Sequence, residues 1–347
     1  MIRRLGGVLA VTCALVAPLA GGASAAAPAG PRLSFFRFGD SGVQIVTSNA
    51  SGAEQRVVVD PRDGDPIPLG PPAWSANGGR FAFPGVTQDR RDSVAGVFLA
   101  DADGGNVALV AGTENGRDPV LSPDGHTLAF TRVRGRQRPL PGGASETVYH
   151  SVSIWIVRIG SGRARQITPW RNGLSEYPSS FSPNGSLLAV SRVRSRGIAR
   201  AHYSALAVHL DGSGAGLLAN NATEPKYSPD GRHLALITVE RPRRVIPRLH
   251  LSFTPTDLAV ANADGSGRTQ LTNTAKAIEG EPSWDPSGER LVYSRHGIGP
   301  SMGGSESILE VNADGTCPTR VISERKDIVR GVSWQPGAGR EAPPLAC

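Results

Sequence analysis

Apolar and polar positions repeat in one pattern along the 347-residue chain. Residues 281–293, EPSWDPSGERLVY, recur as DPVLSPDGHTLAF at 118–130 and as EPKYSPDGRHLAL at 224–236. Looser copies are PPAWSANGGRFAF from Pro71 and PSSFSPNGSLLAV from Pro178, and a truncated copy, GVSWQP, starts at Gly331. Each predicts a tight hairpin. An apolar residue (Trp74, Leu121, Phe181, Tyr227, Trp284 or Trp334) closes a short strand. Proline then presets φ, Asp or Asn bonds its own backbone, and Gly takes the positive φ. A β-rich run such as LAF or LVY follows.

A second unit follows each hairpin: GVFLADADGGNVALV at 96–110, SIWIVRIGSGRARQIT at 153–168 and SALAVHLDGSGAGLLA at 204–219. It returns as DLAVANADGSGRTQLT at 257–272 and ILEVNADGTCPTRVIS at 308–323, with a first copy from Gly42. Each reads as strand, Asp-Gly type turn, strand. Hairpin plus hairpin makes a four-stranded antiparallel blade. The apolar anchors lie 46 to 60 residues apart, a propeller-blade period. Six anchors predict an all-β, six-bladed β-propeller. The sixth blade is split: residues 331–334 supply one strand and residues 33–36 the next. N- and C-terminal strands sharing a blade close the ring and remove exposed sheet edges.

The combined pattern, hydrophobic-P-x-W-S-P-D-G-x-x-L-A-F followed by x-N-A-D-G-S-G-x-x-x-L-T, resembles the TolB-type, WD-repeat-like β-propeller family. The resemblance spans roughly residues 32–336. It implies a six-bladed propeller outside the cytoplasm that serves as a protein-binding platform. TolB's helical N-terminal domain has no counterpart here, so the resemblance does not carry over TolB's particular partner.

Arg3 and Arg4, an apolar run at 5–19 and Ala23-Ser24-Ala25 form a secretory leader. The expected organisation is leader 1–25, linker 26–31, propeller 32–336 and tail 337–347. No internal apolar run has membrane-spanning length. The expected location is secreted or otherwise extracytoplasmic, with no transmembrane segment after cleavage and a monomeric state. Cleavage leaves Cys317 and Cys347, which an oxidising compartment is expected to bridge. Such a bond stabilises by about 3–4 kcal/mol on the chain-entropy model.

Formal charge is +7. Its placement matters more than its size. The connections from each first hairpin to the second unit, at 85–95, 131–152, 191–203, 238–255 and 295–307, hold fifteen arginines against five acids. They should lie on one face, where elaborated loops form binding surfaces on a rigid scaffold. A concentrated positive field attracts anions and weakens with salt. The candidate binding residues are Arg37, Arg134, Arg136, Arg138, Arg192, Arg194, Arg196, Arg243, Arg244 and Trp170. Residues equidistant from a turn face each other across strands, so Asp118–Arg132 and Glu281–Arg295 are expected as ion pairs. Arg37 and Arg192 face Gly331 and Pro178, which carry no charge, with Glu176 within reach of Arg192.

Enzyme signatures are weak. Residues 299–303 match G-x-S-x-G, but no strand-to-helix elbow surrounds them. The seven histidines lack metal-ligand spacing, so neither metal nor cofactor is expected. The expected function is non-catalytic binding of a protein or an anionic cell-envelope polymer, not nucleic acid. The alternative is a lyase or hydrolase acting on an anionic polysaccharide, drawing on Tyr149, His202, Tyr203 and His250.

Overall fold

The computed structural model describes residues 32–40, 42–89, 91–139, 145–195, 201–239, 244–246, 251–298, 306–324, 327–337 and 344–347. The predicted leader, Arg196, Arg243, His250 and the 299–303 motif lie outside the described residues, as do the side chains of Arg136, Arg138, Tyr149 and Arg244. The described chain is strand and turn, apart from one 3-10 turn at Pro61–Asp63.

The local chemistry follows the repeat. Ser122 Oγ lies 2.5 Å from Asp124 Oδ1, which also accepts the His126 N–H at 3.0 Å. The Gly125 N–H closes the turn on the Ser122 carbonyl at 2.8 Å, with φ +68°. The same arrangement recurs at Ser182/Asn184 and Ser228/Asp230. In the second units the turn glycine has another duty. A Cβ on Gly265 (φ +86°) would sit 1.8 Å from the Leu218 carbonyl of the preceding sheet. One on Gly104 would meet Val58 at 1.9 Å. Neighbouring sheets therefore approach too closely for any side chain there.

The pairing corrects the blade prediction. Among the described residues the strands do not divide into six four-stranded antiparallel blades: five sheets have four or more strands, and only three of those have four. Two repeat units run together as one eight-stranded sheet, because Leu174–Phe181 pairs in parallel with Ser145–Arg158 at Val152↔Ser175. One sheet has five strands, and Arg244–Ile246 with Leu251–Phe253 form a separate two-stranded ribbon. The unit predicted as split does assemble from both ends. Ile328–Trp334 pairs antiparallel with Arg32–Gly39, through Leu33↔Trp334 and Phe38↔Ile328.

The architecture is an all-β propeller. Its innermost strands touch in sequence, from Arg117–Leu121 through Leu174–Phe181, Ala222–Tyr227 and Ala277–Trp284 to Ile328–Trp334. Apolar cores fill the spaces between sheets; one joins Leu33, Phe35 and Val46 to Val292, Ile308 and Trp334. The anchor tryptophans belong to these cores. Trp74 Nε1 donates to Ser34 Oγ at 2.7 Å and Trp284 Nε1 to the Lys226 carbonyl at 2.9 Å, each stitching one repeat unit to the next.

Candidate anion-binding face

Arg37, Arg132, Arg192 and Arg295 occupy one repeat position, and each is held by a neighbouring strand. Arg37 Nη2 donates to Gln44 Oε1 at 2.6 Å and Nη1 to Gln55 Oε1 at 3.3 Å; Asp327 lies 4.0 Å away. Arg132 lies 4.5 Å over the Trp155 ring and donates to the Gly112 carbonyl at 3.0 Å. Arg192 pairs with Glu176 at 2.6 Å, and Arg295 with Glu279 at 2.8 Å. Glu176 and Glu279 are buried while the arginines reach solvent.

The expected Asp118–Arg132 and Glu281–Arg295 pairs are therefore corrected. Arg295 lies opposite Glu279, two residues before Glu281, and Arg132 lies 4.0 Å from the Glu114 carboxylate. The cause is a bulge at the acid-proline step. Asp118, Glu224 and Glu281 all hold positive φ, at 49°, 52° and 58°. The register shifts there, between Ala129 and Thr131, Thr223 and Lys226, and Gly280 and Ser283. A bulge re-aims side chains. Two of these acids now point at the next unit: Glu224 accepts the Glu281 N–H, and Glu281 accepts the Gly331 N–H at 2.5 Å. Asp118 accepts from Thr131 Oγ1 at 2.7 Å. Burial, then the Glu281 charge, pushes the Glu224 carboxyl up from its ordinary range. The same burial lowers the Lys226 ammonium, which donates to the Ser179 carbonyl at 2.5 Å.

The positive face is clearest on the eight-stranded sheet. Alternation puts Arg132 with Arg134, and Arg192 with Arg194, on one face of their strands. The register Val133↔Val152↔Ser175↔Val193 carries that face across the sheet, so all four share it. The strands bearing them are three spacings apart, about 14 Å. Arg134 lies 5.1 Å over the Trp170 ring, which joins two of the predicted residues. Beside them Arg171, Leu174 and Arg194 line a cleft of about 240 Å³. His202 lies opposite Arg194 and is exposed, whereas Tyr203 lies one position along, with its side chain on the other face.

Sequence reasoning set Arg171 beside Trp170 as a candidate ligand contact but missed a histidine–carboxylate pair. His296 Nδ1 lies 2.7 Å from Glu306 Oε1, a buried carboxylate that Arg330 also reaches at 3.0 Å. The only signal was ten residues of spacing across a hairpin. Among the described residues no group of three or more His, Cys, Asp or Glu is placed to hold a metal. None of the described helices is long and apolar enough to cross a membrane. Cys317 and Cys347 are bonded, with Cα atoms 5.2 Å apart.

The sequence matches no protein-family model and no curated protein. Solved structures share the fold. A putative TolB from Agrobacterium tumefaciens aligns with TM-score 0.55 and 16% identity, covering 88% of this chain and 99% of that one. Hydrazine synthase from Kuenenia stuttgartiensis gives 0.63 and 14%, covering 90% of this chain and 48% of that one. A chain of a nidogen/laminin complex gives 0.57 and 11%, covering 90% and 100%. The chain is thus a TolB-like propeller in fold. The likeness carries neither a blade count nor a WD-repeat signature.

Proposed function

We propose that this protein is an extracytoplasmic, non-catalytic propeller that binds an acidic protein or an anionic cell-envelope polymer. The observation that carries the reading is the shared face of Arg132, Arg134, Arg192 and Arg194, with Trp170 under Arg134. Guanidinium groups hold carboxylates and phosphates with two parallel hydrogen bonds. Stacking on an aromatic ring restrains the side chain before any ligand arrives. The leader expected from the sequence at 1–25 supports export and so weighs against nucleic acid.

A pull-down of envelope fractions from the source organism with the mature chain should capture a partner at low salt and release it at high salt. Arg134→Gln with Arg194→Gln should weaken capture about tenfold, close to 1.4 kcal/mol. Capture that ignores both salt and these substitutions would remove the proposal.

The enzyme alternative has one observation in its favour. His296, oriented through Nδ1 by Glu306 with Arg330 beside it, has the arrangement of a positioned base. Incubation with anionic glycans tests it: turnover that disappears in His296→Ala would establish catalysis.

A further inference from the structure

The cleft beside Arg134 has features of a built seat. The Leu174 N–H donates to the Arg171 carbonyl at 3.0 Å, and the Ser195 N–H to the Gly173 carbonyl at 2.8 Å. These bonds pin the turn at 171–174 to the end of the Leu187–Ser195 strand. Gly173 has φ +72°, and a Cβ there would lie 2.7 Å from the Ser195 carbonyl, so the close fit needs glycine. The exposed Arg171 and Arg194 thus stand on backbone that is already paired, which lowers the ordering cost of binding. Among the described residues neither has a carboxylate partner, whereas Arg192 and Arg295 do. Buried Leu174 forms an apolar floor. The cleft has a volume of about 240 Å³. That suits a single side chain.

We infer that this cleft receives a carboxylate side chain from an acidic peptide segment of the partner. The inference rests on the proposed anion-binding role of the face and names the ligand chemistry. Two guanidiniums above an apolar floor match a Glu side chain, with its methylenes on Leu174 and its oxygens bidentate to arginine. A sugar ring would need a free aromatic platform, but the Arg134 guanidinium already stacks on Trp170.

Fluorescence anisotropy with a labelled hexaglutamate peptide at low salt tests the assignment. The full mature chain should bind, and Arg171→Gln with Arg194→Gln should weaken binding at least tenfold. The control, Arg158→Gln with Arg163→Gln, removes two exposed charges from the opposite end of the same sheet and should change binding less than threefold. Thermal melts of both variants should match the parent, since all four side chains are exposed. Equal losses in the two variants would make the attraction diffuse and overturn the site. So would displacement of the peptide by inorganic phosphate at matched ionic strength, which would make the ligand a phosphate. If hexaglutamate fails to bind while the salt-dependent envelope capture succeeds, the cleft assignment falls and the proposed function stands.

Discussion

Arg290→Met is expected to destabilise the protein by about 3–5 kcal/mol, because it leaves a buried charge without its partner. Arg290, Asp285 and Glu310 are each almost wholly buried. Arg290 Nη1 lies 2.9 Å from Glu310 Oε1, Nε lies 3.8 Å from Asp285 Oδ2, and the guanidinium sits 5.1 Å over Trp334. The contact to Glu310 is an ion pair by distance without hydrogen-bond alignment, and among the described residues Nε and Nη2 have no hydrogen-bond partner. This cluster exists because one repeat swaps its turn residues. Where the other four full copies open the turn with serine, at Ser75, Ser122, Ser182 and Ser228, this one has Asp285-Pro286-Ser287-Gly288, and the aspartate takes the inner position.

The cost should depend on pH. Burial pushes the Glu310 carboxyl up to about 7 against the pull of Arg290. A carboxyl raised in the folded state contributes stability that is full below its unfolded value and is lost as pH rises through the folded value. Without Arg290 the proton is held more tightly still. The deficit of Arg290→Met should therefore be largest at pH 8 and shrink towards pH 5.5. Glu310→Gln should cost less than Arg290→Met at pH 8, since it removes one costly buried charge and leaves Arg290 3.8 Å from the Asp285 carboxylate. Denaturant midpoints at the two pH values check both. A Glu310→Gln loss as large as that of Arg290→Met would show that the pair is strongly stabilising and overturn this account.

Gly331→Ala is the second large effect, expected at about 3 kcal/mol or more. Two costs add. Gly331 holds φ +63°, where alanine is strained. Its Cβ would also lie 1.8 Å from Pro71 Cβ, a ring that cannot rotate away. Pro71 and Gly331 stand where the ends of the ring meet, so relief of the clash would open that seam. Gly288→Ala separates the two costs. Its φ is +77°, but the nearest atom, Pro229 Cδ, is 3.6 Å away. It should cost only about 1 kcal/mol. Equal midpoints for the two variants would show that the close approach to Pro71 has no energetic weight.

Sequence legibility followed range. The Ser-Pro-Asp-Gly turns were legible because their bonds, such as Ser122 to Asp124, close within a few residues. The split unit was legible because GVSWQP lacks its second strand and LSFF lacks its first. The fusion of two units was hidden, since it rests on one non-local pairing, Val152 to Ser175. The rim pairs failed for a related reason. Counting outward from the turn is sound until a bulge, and the bulge at Glu281 depends on the positive φ before Pro282 and on a distant N–H at Gly331. The arginine positions were readable from spacing, but their partners were only partly so. Glu176 was within reach of Arg192 on the sequence; the stacking of Arg134 on Trp170 was not visible there.

The pairing of Arg32–Gly39 with Ile328–Trp334 also sets an order of events during synthesis. Ser34 and Ser333, bonded across that pair, are 299 residues apart. At roughly 5–20 residues per second the first strand waits about 15–60 s for its partner to leave the ribosome. Throughout that interval the edge carrying Phe35 and Phe36 is unpaired on one side. The chain therefore cannot finish folding as it emerges, and whatever shields that edge from other nascent chains governs the yield of native protein.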